Sequence, residues 1–157
     1  MLFTDIVGST EMATRMGDTV WASLLEQHNA TLRSVVSRFQ GRIVKSTGDG
    51  FMFTFDSPAR AIRAADQAIA AVVKLGLHIR ASCHTGEVKW SEDDLSGVAV
   101  NIASRITDLA GPSQLLVSRT VKDLVAGGPF QFAERGTRTL DGVPGEWQLY
   151  EAVVRWS

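Results

Sequence analysis

The sequence predicts an α+β fold built on a split βαβ sheet. Three observations predict it. Strand-like and helix-like segments alternate in the order β-α-β-β-α-β, two of the strand-like runs are joined at Asp49-Gly50, and further α and β segments follow. This is the ferredoxin-like (βαββαβ) arrangement, with helices packed on one face of the sheet and additional C-terminal β/α elements. We expect one domain over residues 1–157, excised from a longer chain, because the sequence opens almost in the middle of a strand.

The first two predicted elements are a strand, "MLFTDI", and a long amphipathic helix after the "GST" turn. Residues of the helix recur at three- and four-residue steps, which is the stripe of a helix with one packed face. Gly41 is placed to end this helix. The members of the stripe are Trp21, Leu24, Leu25, His28, Leu32, Val35, Val36 and Phe39.

A hairpin and a second helix follow. "RIVKSTGDGFMFTF" contains two strand-like runs joined at Asp49-Gly50, and Asp-Gly favours a type I′ turn because both of its central residues need positive φ. Asp49 is therefore expected at a hairpin tip. The second helix begins at Ser57-Pro58, a cap followed by a first-turn proline, and stops at Gly76.

The rest of the chain reads as strand, helix, strand, short helix and two β segments. These are "HIRASCHTGEVKW", "GVAVNIASRITDLAG", "QLLVS", "RTVKDLVAGG", "FQFAERG" and "WQLYEAVV".

Composition excludes several classes of protein. The net charge of -1 and pI near 6.3 give no polycationic field for nucleic acid. No stretch approaches the roughly 20 apolar residues that span a bilayer, so we expect no membrane contact by this segment. Cys83, the only cysteine, has no partner in the chain for a disulfide, which fits a cytoplasmic setting.

Two acids are candidates for a metal site. In a split βαβ sheet the first strand lies beside the central hairpin, so Asp5 and Asp49 can converge at one end of the sheet. Mg²⁺ prefers oxygen ligands and usually uses one or two carboxylates together with substrate phosphates. The turn Gly8-Ser9-Thr10 leads into a helix, whose free N–H groups would suit a triphosphate.

Four stretches, "FTDIVGST", "GRIVKSTGDGFMFTF", "CHTGEV" and "GVAVNIASRI", resemble the class III nucleotide cyclase catalytic domain, of the bacterial adenylyl cyclase type. The resemblance covers essentially the whole chain. It implies a head-to-tail homodimer that converts a nucleoside triphosphate to the 3′,5′-cyclic monophosphate and pyrophosphate. It also implies two Mg²⁺ or Mn²⁺ ions per active site, held by Asp5 and Asp49.

Base choice rests on a second pair of residues. Lys45 matches the purine-selecting lysine of the family, and Asp94 matches its partner aspartate. Lysine donates and ionised aspartate accepts, which is the pair that adenine needs at N1 and N6, so ATP is favoured over GTP. "SEDDLSG" places Glu92, Asp93 and Asp94 in a row, and a shift of one residue would transfer the role to Asp93.

The helix "VNIASRI" supplies the expected catalytic residues. Asn101 and Arg105 are four residues apart and share one helix face. The resemblance implies that Asn101 orients the ribose and that Arg105 stabilises phosphate charge during in-line attack of the ribose 3′-oxygen on the α-phosphorus. It further implies that Asp5 and Asp49 of one chain work with Lys45, Asp94, Asn101 and Arg105 of the other.

The sequence departs from many bacterial members of the family in one place. They carry a lysine shortly before the glycine of "DGVPGEWQLY", where this chain has Asp141, so a triphosphate contact is either absent or supplied by Arg138. His28 is expected to be a packed residue, because no second ligand lies at metal spacing near it. Trp21, Trp147 and Trp156 are expected at packing or dimer surfaces.

Three alternatives stay open. A cyclase-like module that binds nucleotide without catalysis is one, although all six matched positions carry competent residues. A guanylyl cyclase is the second, and Lys45 and Asp94 discriminate against it. Diguanylate cyclases and polymerase palm domains share the split βαβ plan, but the former would show a Gly-Gly-acid-acid motif where this hairpin has "STGDG".

Overall fold

The computed structural model describes residues 1–155, so the expectation for Trp156 lies outside the described residues. It contains a seven-stranded mixed sheet, a separate two-stranded hairpin and five helices within that range. The strands are β1 (Leu2–Ile6), β2 (Arg42–Ser46), β3 (Gly50–Thr54), β4 (Ile79–Cys83), β5 (Lys89–Ser91), β6 (Asp94–Ser96), β7 (Leu115–Ser118), β8 (Phe130–Leu140) and β9 (Val143–Val154). The helices are α1 (Ser9–Met16), α2 (Asp18–Arg38), α3 (Pro58–Val73), α4 (Val98–Leu109) and α5 (Arg119–Leu124).

The strand order of the large sheet is β2-β3-β1-β4-β7-β9-β8. Its first four strands, with α2 and α3, form the split βαβ unit that the sequence predicts, and the α+β fold is confirmed. Strands β7, β8 and β9 extend the sheet from the β4 side, where β7 pairs in parallel with β4 and the long β8–β9 hairpin completes the sheet. The predicted C-terminal additions are therefore strands of the same sheet.

Two apolar cores lie on opposite faces of the sheet. The helices of the split βαβ unit share one face, as predicted, and bury the stacked rings of Phe51 and Phe53 under α2 and α3. Helix α4 belongs to the added elements and packs on the other face, where Ile102 and Ile106 contact Leu149 and its neighbours. The buried Ser82 hydroxyl donates to the Ala103 carbonyl at 2.7 Å and fixes α4 against β4.

His28, Trp21 and Trp147 pack against the cores, as predicted. His28 is fully buried on α2 and stacks on Phe51, with ring centroids 6.1 Å apart. Trp21 packs partly buried against the core under α2 and α3, and Trp147 packs against the core under α4.

Local differences from the sequence expectations arise at glycines and turns. The long first helix is divided into α1 and α2 at Gly17, which has a φ of 85° that a continuing helix cannot adopt. In the central hairpin Gly48 carries the positive φ, and the type I′ turn expected at Asp49-Gly50 is wrong because Gly50 already pairs in β3. Gln40, not Gly41, takes the left-handed conformation after α2.

The strand predicted over "HIRASCHTGEVKW" ends at Cys83 in the structure, and Lys89–Ser91 pairs with Asp94–Ser96 in the β5–β6 hairpin instead. Asp94 opens β6 and is therefore a strand residue. Within residues 1–155, no helix combines the length and the apolar character that crossing a membrane requires.

Candidate active site

The two predicted metal-binding acids are neighbours at one end of the sheet. Asp5 pairs in register with Gly50, and the Ile6 amide donates to the Asp49 carbonyl at 3.2 Å. Their carboxylates interact: burial raises the pKa of Asp5 above its ordinary value, and the negative charge of Asp49 raises it further. The tertiary structure therefore brings together two acids that are 44 positions apart in the sequence.

Glycine at position 50 makes this approach possible. A Cβ atom built on Gly50 would lie 2.5 Å from the Thr4 carbonyl oxygen and 3.4 Å from Oδ1 of Asp5. The first distance is shorter than any normal contact, so a side chain here would push the hairpin away from β1. The "DG" pair thus provides an acid and the space that lets the acid approach Asp5.

The "GST" turn lies beside the acids. Gly8 takes a left-handed conformation, with φ of 69°, and directs the chain into α1. The Ser9 hydroxyl donates to Oδ2 of Asp49, so this serine orients the second acid. Within residues 1–155 no side chain caps the first turn of α1. Ser9 and Thr10 line an open groove of about 480 Å³ together with Asp49, which gives a polyphosphate access to this helix start.

Arg80 is a site residue that the sequence reasoning missed. It lies directly across from Asp5 on β4, and its Nη2 and Nε atoms donate to Oδ2 of Asp5 at 2.9 and 3.3 Å. This guanidinium opposes the rise in the Asp5 pKa but does not cancel it. In the sequence, Arg80 is visible only as a positively charged residue near the start of the predicted strand "HIRASC". The register of the sheet is what places it beside Asp5.

Lys45 and Asp94, which the sequence proposes as a pair, form an ion pair in this structure. Nζ of Lys45 on β2 lies 3.3 Å from Oδ1 of Asp94 on β6, and the two side chains are 44% and 58% exposed. The Leu95 amide and then Lys45 hold the pKa of Asp94 below its ordinary value, so this carboxylate is ionised at neutral pH. In this structure Asp94, not Asp93, is the acid of the "SEDDLSG" loop that pairs with Lys45.

Asn101 and Arg105 lie one turn apart on α4, and both are exposed. Nη1 of Arg105 is 3.5 Å from Oδ2 of Asp108, an i,i+3 ion pair on the same helix. Arg138 lies in β8 opposite Trp147, and Asp141 lies in the β8–β9 turn. Neither position tests a contact between Arg138 and the triphosphate, which stays a prediction.

The donor set fits a hard divalent cation. Two carboxylates converge, and among residues 1–155 there is no cluster of three or more His, Cys, Asp or Glu side chains that would form a complete protein cage for a metal. Mg²⁺ keeps several waters and is usually bound by one or two carboxylates plus substrate phosphates. Burial raises the Asp5 pKa most, and repulsion from Asp49 adds to it; a bound cation would relieve both costs.

Comparison with known proteins decides the family. Residues 1–152 match the family model described as the adenylate and guanylate cyclase catalytic domain. The chain belongs to this family. A match over nearly all of the described residues covers both acids, the lysine–aspartate pair and α4.

Relatives and solved structures agree with this family. The cyclase domain is 30% identical over 135 residues to the putative adenylate cyclase 3 of Rhizobium meliloti, covering 81% of this chain and 23% of that protein. Its fold is similar to that of the adenylyl cyclase CyaB from P. aeruginosa, with a TM-score of 0.86 at 21% identity, covering 99% of this chain and 93% of that one.

A second similar fold is the catalytic core of a rhodopsin-guanylyl cyclase with converted specificity, solved with ATPαS. The TM-score is 0.90 at 21% identity, with 99% of this chain and 94% of that chain covered. The cyclase domain thus spans the solved catalytic domains almost completely but only about a quarter of the curated Rhizobium relative.

Proposed function

We propose that this domain is an adenylyl cyclase that converts ATP to 3′,5′-cyclic AMP and pyrophosphate at a homodimer interface. The observation that carries the proposal is the convergence of Asp5 and Asp49 beside the uncapped start of α1. Two adjacent carboxylates next to free helix N–H groups suit a triphosphate with its divalent cations. Membership of the cyclase family supports the reaction class.

Asp5 and Asp49 would hold two Mg²⁺ or Mn²⁺ ions. When bound there, such ions would lower the pKa of the ribose 3′-hydroxyl, help to position it and neutralise charge on the triphosphate. Ser9 supports this role because its hydroxyl orients the Asp49 carboxylate. The N–H groups that follow Gly8, at Ser9 and Thr10, would bind phosphate oxygens.

Arg80 has two roles in this proposal. In the protein without nucleotide it partly neutralises Asp5, which keeps the two acids together despite their repulsion. With cations bound at Asp5, the Arg80 guanidinium would be free to pair with phosphate oxygens, which it could do in bidentate geometry.

Lys45 and Asp94 would read the purine. The ammonium group donates to adenine N1 and the carboxylate accepts from N6, whereas guanine presents the opposite pattern at these positions. Asn101 would orient the ribose, and Arg105 would stabilise charge on the phosphates as pyrophosphate leaves. Positioning and charge neutralisation carry this chemistry, so no protein group is assigned as general base.

The active site would be composite. In the proposed head-to-tail homodimer, Asp5 and Asp49 of one chain face Lys45, Asp94, Asn101 and Arg105 of the partner chain. We refer to each such combination as a composite active site. A dimer has two of them, and an isolated chain has none.

Two other functions are tested by the same experiments. Guanylyl cyclase activity is the enzyme alternative, and the Lys45–Asp94 ion pair argues against it because this pair matches adenine. A nucleotide-binding module without catalysis is the second alternative. The presence of carboxylate, lysine, asparagine and arginine at all six matched positions argues against that module.

The decisive experiment measures cyclic product by chromatography after incubation with ATP or GTP and Mn²⁺ or Mg²⁺. We expect cyclic AMP from ATP and far less cyclic GMP from GTP. Cyclic GMP as the main product would replace the adenylyl assignment by the guanylyl one. A preparation that is dimeric by light scattering and yields neither product would identify a nucleotide-binding module.

Mixing variants tests the composite site. Asp49→Ala and Arg105→Ala should each lower activity by about a thousandfold or more. Random mixing of the two variants yields about half heterodimers, and each heterodimer has one intact active site and one inactive site. About a quarter of the wild-type activity should therefore return. Failure to recover activity while the chains demonstrably exchange would contradict a shared active site.

A further inference from the structure

Asp108 on α4 lies between two arginines. Its Oδ2 is 3.5 Å from Nη1 of Arg105, and its Oδ1 is 3.8 Å from Nη2 of Arg80. Arg80 also donates through Nη1 to the backbone carbonyl of residue 108 at 3.2 Å. One carboxylate therefore contacts a guanidinium from its own helix and another from β4.

The contacts continue to the metal-binding acids. The same Nη2 atom of Arg80 that faces Asp108 lies 2.9 Å from Oδ2 of Asp5. The side chains thus form a row of alternating charge: Asp5, Arg80, Asp108 and Arg105. In the proposed dimer the two ends of this row serve different active sites, because Asp5 works in one composite site and Arg105 in the other.

We propose that Asp108 is a positioning residue for both composite active sites of the dimer. It directs Arg105 towards the site completed by the partner chain, and in the site of its own chain it draws the Arg80 guanidinium partly away from Asp5. This inference rests on the function proposed above. Asp108 itself contacts neither substrate nor cation.

The first effect follows from side-chain freedom. Arg105 is about half exposed, and a long exposed arginine loses several rotamers when it is held in one direction. The i,i+3 contact with Asp108 limits these rotamers before substrate arrives. Without the Asp108 carboxylate, Arg105 would become ordered only at the reaction step. Removal of this carboxylate should therefore lower kcat.

The second effect follows from competition for Asp5. Arg80 is only 27% exposed and divides its Nη2 contact between Asp5 and Asp108. A neutral side chain at position 108 would leave Asp5 as the remaining carboxylate partner of Arg80. The guanidinium would then compete more strongly with a divalent cation for Asp5, so the cation should bind more weakly.

A first experiment measures Mn²⁺ binding alone by electron paramagnetic resonance, without nucleotide. Asp108→Asn should weaken Mn²⁺ binding about fivefold, the upper range for a partly exposed ion pair. Asp123→Asn is the matched control, since Asp123 forms a comparable exposed pair with Arg119 at 3.7 Å on α5. Equal Mn²⁺ affinity of the two variants would overturn the proposal.

A double-mutant cycle separates positioning from a general change in charge. If Asp108 acts through Arg80, Asp108→Asn should have no further effect on Mn²⁺ affinity in an Arg80→Ala background. A fivefold loss that persists without Arg80 would instead reflect the lost negative charge and would overturn the role. Asp108→Glu, which keeps the charge, should retain affinity and provides a second variant if Asp108→Asn fails to fold.

The mixed dimers then assign each effect to one site. In Asp49→Ala/Arg105→Ala dimers the intact site takes its acids from the Arg105→Ala chain and its Arg105 from the Asp49→Ala chain. Adding Asp108→Asn to the Arg105→Ala chain should raise the Mn²⁺ concentration for half-maximal activity. Adding Asp108→Asn to the Asp49→Ala chain should lower kcat. We expect each of these two changes to be about fivefold.

A result in which only one placement has an effect would overturn the two-site role of Asp108. If the mixed dimers carrying native Asp108 are inactive, the proposed composite site fails. The Mn²⁺ measurement on unmixed protein still decides the part of the inference that concerns Arg80. Failure of the proposed function and failure of this inference are therefore distinguishable.

Discussion

Nζ of Lys45 lies 3.3 Å from Oδ1 of Asp94 and joins β2, an edge strand of the large sheet, to the β5–β6 hairpin. The proposed donor and acceptor for adenine are therefore held together before any base arrives. Because both side chains are about half exposed, the pair adds little to stability. Its value is geometric, since it keeps a donor and an acceptor at one place on the protein surface.

Substitution of neighbouring acids tests which one contacts the base. Asp94→Ala should lower kcat/KM for ATP by about 10- to 100-fold, because a hydrogen bond to a charged group contributes about 1.5–3 kcal/mol. Asp93→Ala is the matched control and should change kcat/KM little. Steady-state kinetics of cyclic AMP formation compares them, and the reverse ranking would transfer the role to Asp93.

Filling the space at residue 50 should separate the two acids. Gly50→Ala places a methyl group 2.5 Å from the Thr4 carbonyl, so we expect a loss of about 1–3 kcal/mol in the free energy of unfolding and weaker Mn²⁺ binding. Gly111→Ala is the control, because its methyl group would meet only Gln114 at an ordinary 3.6 Å. Chemical denaturation and Mn²⁺ titration measure both effects. Unchanged Mn²⁺ affinity in Gly50→Ala would show that the close approach of β1 and β3 does not matter for the site.

Removing the Ser9 hydroxyl should disorder Asp49. Ser9→Ala deletes one hydrogen bond to a carboxylate, so the Mn²⁺ concentration for half-maximal activity should rise by about tenfold. Ser34→Ala removes an exposed hydroxyl from α2 and serves as the control. A rise in KM for ATP at saturating Mn²⁺, with no change in the Mn²⁺ requirement, would mean that the Ser9 hydroxyl contacts the triphosphate and does not act through Asp49.

His84 should make the stability of the domain depend on pH. Burial lowers its pKa from 6.5 to about 4, and its Nδ1 lies 2.7 Å from the Ser118 hydroxyl. The unfolded chain therefore takes up a proton at higher pH than the folded chain, and stability falls as the pH drops from about 6.5 towards 4. Between pH 7.5 and pH 5 the loss due to His84 should be about 2 kcal/mol.

The measurement compares denaturant unfolding of the wild type and His84→Gln at both pH values. The wild type should lose about 2 kcal/mol more than the variant over this range. His28, whose pKa burial also lowers, contributes equally to both proteins and cancels in the comparison. The same pH dependence in both proteins would contradict a neutral, buried His84.

Sequence reasoning was most successful where a local pattern carries the signal. The apolar stripe from Trp21 to Phe39 predicted α2, and the Ser57-Pro58 cap predicted the start of α3, whose Ser57 hydroxyl accepts from the Arg60 amide at 3.3 Å. It was weaker at turns, where Gly17 divides a helix that reads as continuous. The β5–β6 hairpin was missed because each of its strands has only three residues, too few for a periodic pattern.

The sequence by itself determined the βαββαβ order, the family resemblance and the acids, lysine, asparagine and arginine that we propose to act. Residue types, spacing and periodicity are local properties, and the sequence carries them directly. Only the tertiary structure decided that Arg80 pairs with Asp5, that Asp94 and not Asp93 pairs with Lys45, and that Asp108 contacts Arg80. These relationships depend on strand register and on how α4 and β6 pack against the sheet, and contacts across 28 to 75 positions of chain leave no periodic mark in the sequence.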